Sequence, residues 1–185
     1  DLPPLNDDEG QVVLRNDLGR MIDSVYYSET YHNPFVKDGE GISLERISPF
    51  SPGIESDNWR SASGTSGFAT PGYVNSNARA EVVSEDMVRI EPEVIQPELA
   101  SLSYALIKYQ LERGGVMANV RVVDQQGRCI RQIASNELLG AAGFFRWDGD
   151  QDNGSAAAIG YYIVWFEIFD ADGMVQVIRK RIAIF

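Results

Sequence analysis

The run Gly160-Tyr161-Tyr162-Ile163-Val164-Trp165-Phe166-Glu167-Ile168-Phe169, followed by Asp170-Ala171-Asp172-Gly173 and then Met174 to Phe185, decides the fold. Its residues are mostly β-branched or aromatic, the types that suit a pleated, half-buried surface. Alternate side chains of a strand point to opposite faces, so every second residue of this run is placed for burial. In the tetrapeptide between the two runs, Asp tolerates left-handed backbone and Gly supplies positive φ, which makes it a hairpin turn. Working outward, similar runs occur at Gln11 to Leu14, Ile22 to Tyr27, Ile42 to Ile47, Met117 to Val123 and Cys129 to Ile133. Turn clusters separate them: Asn16 to Gly19, Lys37 to Gly41 and Asp124 to Gly127. Ser103 to Leu111 alternates well enough to read as a strand and not a helix. The chain is therefore expected to be all-β.

With 44% apolar and 10% aromatic residues in 185, the chain has enough material for a core. A net charge of -11 would repel both phosphate backbones and anionic lipid, so nucleic acid and membrane surfaces are excluded as expected partners. No window is long and apolar enough to insert in a membrane. Cys129 is the only cysteine, so the chain can form neither an internal disulfide nor a thiolate zinc cage. Gly, Ser, Pro and Asn crowd the stretch from Ser51 to Asn77, and Ala78 to Met87 is polar and acidic. This divides the chain into residues 1–77, a linker at 78–86, and residues 87–185, with both halves acidic.

Two resemblances sharpen this. Ala118 to Asp124, Gly127 to Ile133, Phe145-Arg146-Trp147-Asp148-Gly149-Asp150, Gly154 and Gly160 to Val164 together resemble the FlgD-type immunoglobulin-like domain. In that run the Trp147 indole is placed to cap the core and Asp148-Gly149 to turn the chain. Val12 to Gly19, Ile22 to Tyr27, Gly41 to Ile47, Asp57 to Ala62 and Ala69 to Gly72 with Asn75-Ser76 resemble the C-terminal part of a lamin-tail domain. Leu44, Ile47 and Trp59 read as its core, and Glu45 and Arg46, on opposite faces of one strand, are placed to pair with loop groups. The resemblances imply two immunoglobulin-like β-sandwich modules, the first incomplete at its N-terminus. Its uncovered strand edges would be met by the second module or by another copy, as a homodimer.

Candidate chemistry is sparse. Asp148, Asp150 and Asp152 alternate as carboxylates do in calcium loops, because a hard cation wants several close oxygens. The loop lacks the rest of an EF-hand pattern, and a solvated acidic turn is the plainer reading, so no cofactor other than Ca2+ is suggested. His32 is the only histidine, which leaves a Ser-His scheme dependent on that one residue. Ser61 to Gly67 is Gly- and Ser-rich without a Lys and reads as a flexible loop. Tyr27, Tyr31, Phe35 and Tyr73 are the aromatics that could make a carbohydrate- or protein-binding surface. The expectation is a non-enzyme: a structural or interaction module from the C-terminal region of a bacterial secreted or cell-surface protein. It would space, anchor or display upstream domains, with the export signal outside this chain.

Overall fold

The computed structural model describes residues 5–78 and 86–185. All but the first residue and the last of the expected linker, 78–86, lie outside the described residues. The described fold is all-β, with twelve strands and only single-turn 3-10 segments between them.

The second half is a sandwich. One sheet holds β5 (Val88–Glu91), β7 (Ala105–Gln110) and β10 (Ala142–Trp147), in the order β10-β7-β5. The other holds β6 (Val94–Ile95), β8 (Val116–Val123), β9 (Cys129–Leu139), β11 (Gly160–Phe169) and β12 (Val175–Ile184), in the order β6-β12-β11-β8-β9. The quoted run is β11, the central strand of that sheet. Its Tyr162, Val164, Phe166 and Ile168 are buried, as alternation requires, against Ala105, Ile107 and Tyr109 of β7 and Ala118, Val120 and Val122 of β8. Burying each large apolar side chain contributes about 1.5–3 kcal/mol. Trp147 is 1% exposed, meets Tyr162 edge-on at 5.6 Å and donates from Nε1 to the carbonyl of Asp150 at 2.9 Å. The chain then turns at Gly149, whose φ of 73° is the left-handed conformation expected for Asp148-Gly149. On the outer face Arg121, Trp165 and Arg179 are direct cross-strand neighbours, with both guanidiniums against the indole.

The first half is built differently. β1 (Glu9–Arg15) and β2 (Met21–Ser28) form one hairpin, and β3 (Leu44–Arg46) and β4 (Trp59–Ser61) form a second two-stranded sheet. The Asn16 side chain closes the first turn by accepting from the amides of Leu18 and Arg20. Arg46 joins the sheets, donating to Asp23 at 2.6 Å and to the carbonyl of Ser51. The groove between them, of about 360 Å3, is lined by Leu5, Val12, Val25, Tyr27, Leu44 and Trp59. Leu44, Ile47 and Trp59, expected as core, are only half-buried. Among the described residues of this half the fully buried apolar side chain is Ala62, while Glu45, Asn58, Ser61, Ser63 and Asn77 are all buried polar. The core of the first half is polar.

Candidate functional site

Glu45 sits at the middle of β3, 4% exposed. Its carboxylate accepts from Thr70 Oγ1, from Ser76 Oγ at 2.7 Å, and from the amide and side chain of Asn77 at 3.3 and 3.2 Å. Asn77 also donates to the carbonyl of Ser61 at 2.8 Å. A buried carboxylate needs its lone pairs met by donors, and among the described residues neutral donors meet them. The 70–77 turn is thereby fastened to β3. The pairing of Glu45 and Arg46 with loop groups, legible in their opposite-facing positions, is what the structure contains.

The Ser61 to Gly67 stretch, expected to be a flexible loop, is instead fixed. Ser61 and Ser63 are each 1% exposed, and Gly64–Ser66 form a 3-10 turn. His32 Nδ1 lies 3.0 Å from Ser61 Oγ, and the same oxygen accepts from the amide of Asn33 at 2.9 Å. Burial pushes the His32 pKa down from its ordinary value. This Ser-His contact is the pairing a nucleophile uses, and here its serine lies inside the fold.

Contacts between the halves frame a cleft. Asn33 Nδ2 donates to the carbonyl of Gly115 at 2.7 Å, and Thr65 Oγ1 meets the Tyr109 hydroxyl at 3.0 Å. The amide of Ala141 donates to the carbonyl of Ser76 at 2.8 Å. Phe35 packs edge-on against Phe169 at 5.7 Å. Gly140 permits the closest approach, since a Cβ there would come within 2.3 Å of the Ser76 carbonyl oxygen. Beside these contacts opens a cleft of about 790 Å3, with Ser63, Thr65, Thr70 and Ser76 on one wall and Phe144 and Phe145 on the other. Glu137 also lines it, its carboxyl pushed up from the ordinary glutamate range by burial. Phe144 is 60% exposed. Sequence reading missed this cleft because its walls come from segments on both sides of the expected linker.

The other expected positions are dispersed. Asp148 pairs with Arg146 Nε at 2.7 Å, while Asp150 and Asp152 both face Arg131, at 3.4 and 3.7 Å. Among the described residues no three His, Cys, Asp or Glu side chains gather in a metal-holding group. Tyr27 donates to the carbonyl of Asn6 at 2.9 Å, Tyr31 ends a 3-10 turn, Phe35 belongs to the junction, and Tyr73 is 85% exposed on a turn.

No protein-family model matches this sequence, and no curated protein does. Among solved structures the chain is similar to PorZ, described as an essential bacterial surface component of the type-IX secretion system of Porphyromonas gingivalis. That similarity is 20% identity at a TM-score of 0.34 and covers 53% of this chain and 11% of that one. A second is CopC from Methylosinus trichosporium OB3b, at 15% identity and a TM-score of 0.28, covering 44% of this chain and 74% of that one. The first of these matches spans only about a tenth of the length of PorZ. Likenesses this slight carry no argument about function, and the functional reading rests on this chain's own geometry.

Proposed function

We propose that this chain is a non-catalytic structural and interaction module of a secreted or cell-surface bacterial protein, a lamin-tail-like half and a FlgD-type immunoglobulin-like half that space, anchor or display neighbouring domains. One observation carries the reading: the groups chemistry would call on are committed to holding the halves in shape. Glu45 is saturated by neutral donors, and His32 and Ser61 hydrogen-bond inside the fold beside the junction residue Asn33. A spacer needs a fixed angle between its parts, and the contacts of Asn33, Thr65, Ser76 and Phe35 supply one.

Two spin labels, on the exposed native Cys129 and on Tyr73→Cys, test this. A single narrow distance is expected, broadened by Asn33→Ala with Thr65→Ala. A broad distribution in the otherwise unaltered protein, or hydrolysis of generic ester, glycoside or peptide substrates that is lost in His32→Ala, overturns the reading.

The inter-half cleft favours a second reading, a binding module for carbohydrate or a protein segment. Its hydroxyl wall and the aromatic Phe144 suit a ligand with both polar edges and an apolar face. Glycan-array binding lost in Phe144→Ala would select it.

A further inference from the structure

β1 and β2 stand as an isolated two-stranded ribbon whose large apolar side chains are mostly in water, with Leu14, Met21 and Ile22 58%, 63% and 61% exposed. The hydrogen bond from the amide of Glu29 to the carbonyl of Asp8, 2.8 Å, fixes the phase of its ladder. With Gly10 opposite Tyr27, Val12 opposite Val25 and Leu14 opposite Asp23, the backbone groups of residues 10, 12 and 14 turn toward β2. Those of Gln11 and Val13 turn to the other edge, and among the described residues nothing pairs with them. The far edge of β2 is partly blocked: Gly53 lies so near the Ser24 carbonyl oxygen that a Cβ there would be 2.7 Å from it. An open strand edge beside exposed apolar side chains is a template for another strand.

The sequence of β1, Glu9-Gly10-Gln11-Val12-Val13-Leu14-Arg15, says which strand fits. We propose that β1 pairs antiparallel with β1 of a second copy of this chain, on a two-fold axis through Val12. That register sets Glu9 against Arg15 at both ends, Gln11 against Val13 through their outward backbone groups, and Gly10 against Leu14. It keeps residues 10, 12 and 14 of both copies on one face, as an isologous interface requires. Shifting the axis to Val13 would set Glu9 against Asp17 and Arg15 against Gln11, losing both ion pairs. The product is a four-stranded sheet, β2-β1-β1-β2, whose apolar face joins the two half-open grooves over Leu44 and Trp59. This goes beyond a spacer role and holds equally for a binding module.

Sedimentation of the unaltered chain at micromolar concentrations is expected to show a monomer–dimer equilibrium. Val13→Pro, which removes an outward N–H, abolishes it. Arg15→Glu weakens it on the order of tenfold, because two attractive exposed pairs become repulsive, and Glu9→Arg added to Arg15→Glu restores it. That rescue keeps the test decisive where a single variant misfolds. In a Cys129→Ser background, Val12→Cys places two cysteines in a non-hydrogen-bonded pair about 4.5 Å apart at Cα, within disulfide reach. They oxidise to a covalent dimer faster than Leu18→Cys at the hairpin tip. A monomer at every concentration, equal oxidation rates, or a dimer indifferent to both Val13→Pro and Arg15→Glu overturns the proposal.

Discussion

Glu137 lies on the wall of the inter-half cleft, where burial holds its carboxyl above its usual range. A folded pKa raised above the unfolded one means that the ionised form costs stability at neutral pH. The cost fades as the pH falls through the folded value and is gone below the unfolded value of about 4.3. Glu137→Gln is therefore expected to raise the melting temperature at pH 7 and to leave it nearly unchanged near pH 3.5, read by thermal melts across that range. A gain that persists at low pH would assign the effect to packing. At this scale the sequence showed Glu45 and Arg46 as opposite-facing pairing residues, because alternation along a strand is local. It did not show His32 on Ser61, which joins residues 29 positions apart, nor Glu137 in the cleft, since Asn136, at φ 51°, stands where β9 departs from its ladder.

Among elements, the long apolar alternations were the legible ones. β11 and β12 lie where Tyr161 to Phe169 and Met174 to Phe185 placed them, within a residue at each end. The strands not singled out were β4, β5, β6 and β10, between two and six residues long. β3 and β7, three and six residues long, were read because longer alternating runs surround them. The four others lack such a run and are defined by their partners, as β6 exists because Val94 and Ile95 meet Ala183 and Ile184. The first half's two small sheets depend still more on their surroundings, since polar contacts hold their loops. Glu45→Ala would strip the 70–77 turn of its acceptor and leave the buried Asn77 and the half-buried Thr70 and Ser76 without the carboxylate they donate to. The expected loss is about 3 kcal/mol, given the usual cost of unsatisfied buried groups. Urea unfolding followed through Trp59, whose Nε1 donates to the carbonyl of Gly53 in the same half, would measure it. Glu45→Gln, keeping one carbonyl oxygen, should lose less.

For the whole molecule, the all-β class followed from periodicity and the sandwich of the second half from what the resemblance implied, whereas the tie between halves was legible in neither. The Asn33, Thr65 and Ser76 contacts link distant segments through backbone carbonyls and hydroxyls, which leave no hydrophobic pattern to read. The division into an apolar-cored and a polar-cored half also has a calorimetric consequence. Heat capacity of unfolding follows the apolar surface exposed, and polar exposure lowers it. The sandwich should melt with a baseline step of roughly 1.2–1.5 kcal/mol/K, the value for about 100 residues. The half organised around Glu45 should add little to that step, and a step scaled to the full chain length would contradict the division. Its stability curve is then shallow, changing slowly with temperature where that of the sandwich bends, so warming and cooling alike shift which half opens first.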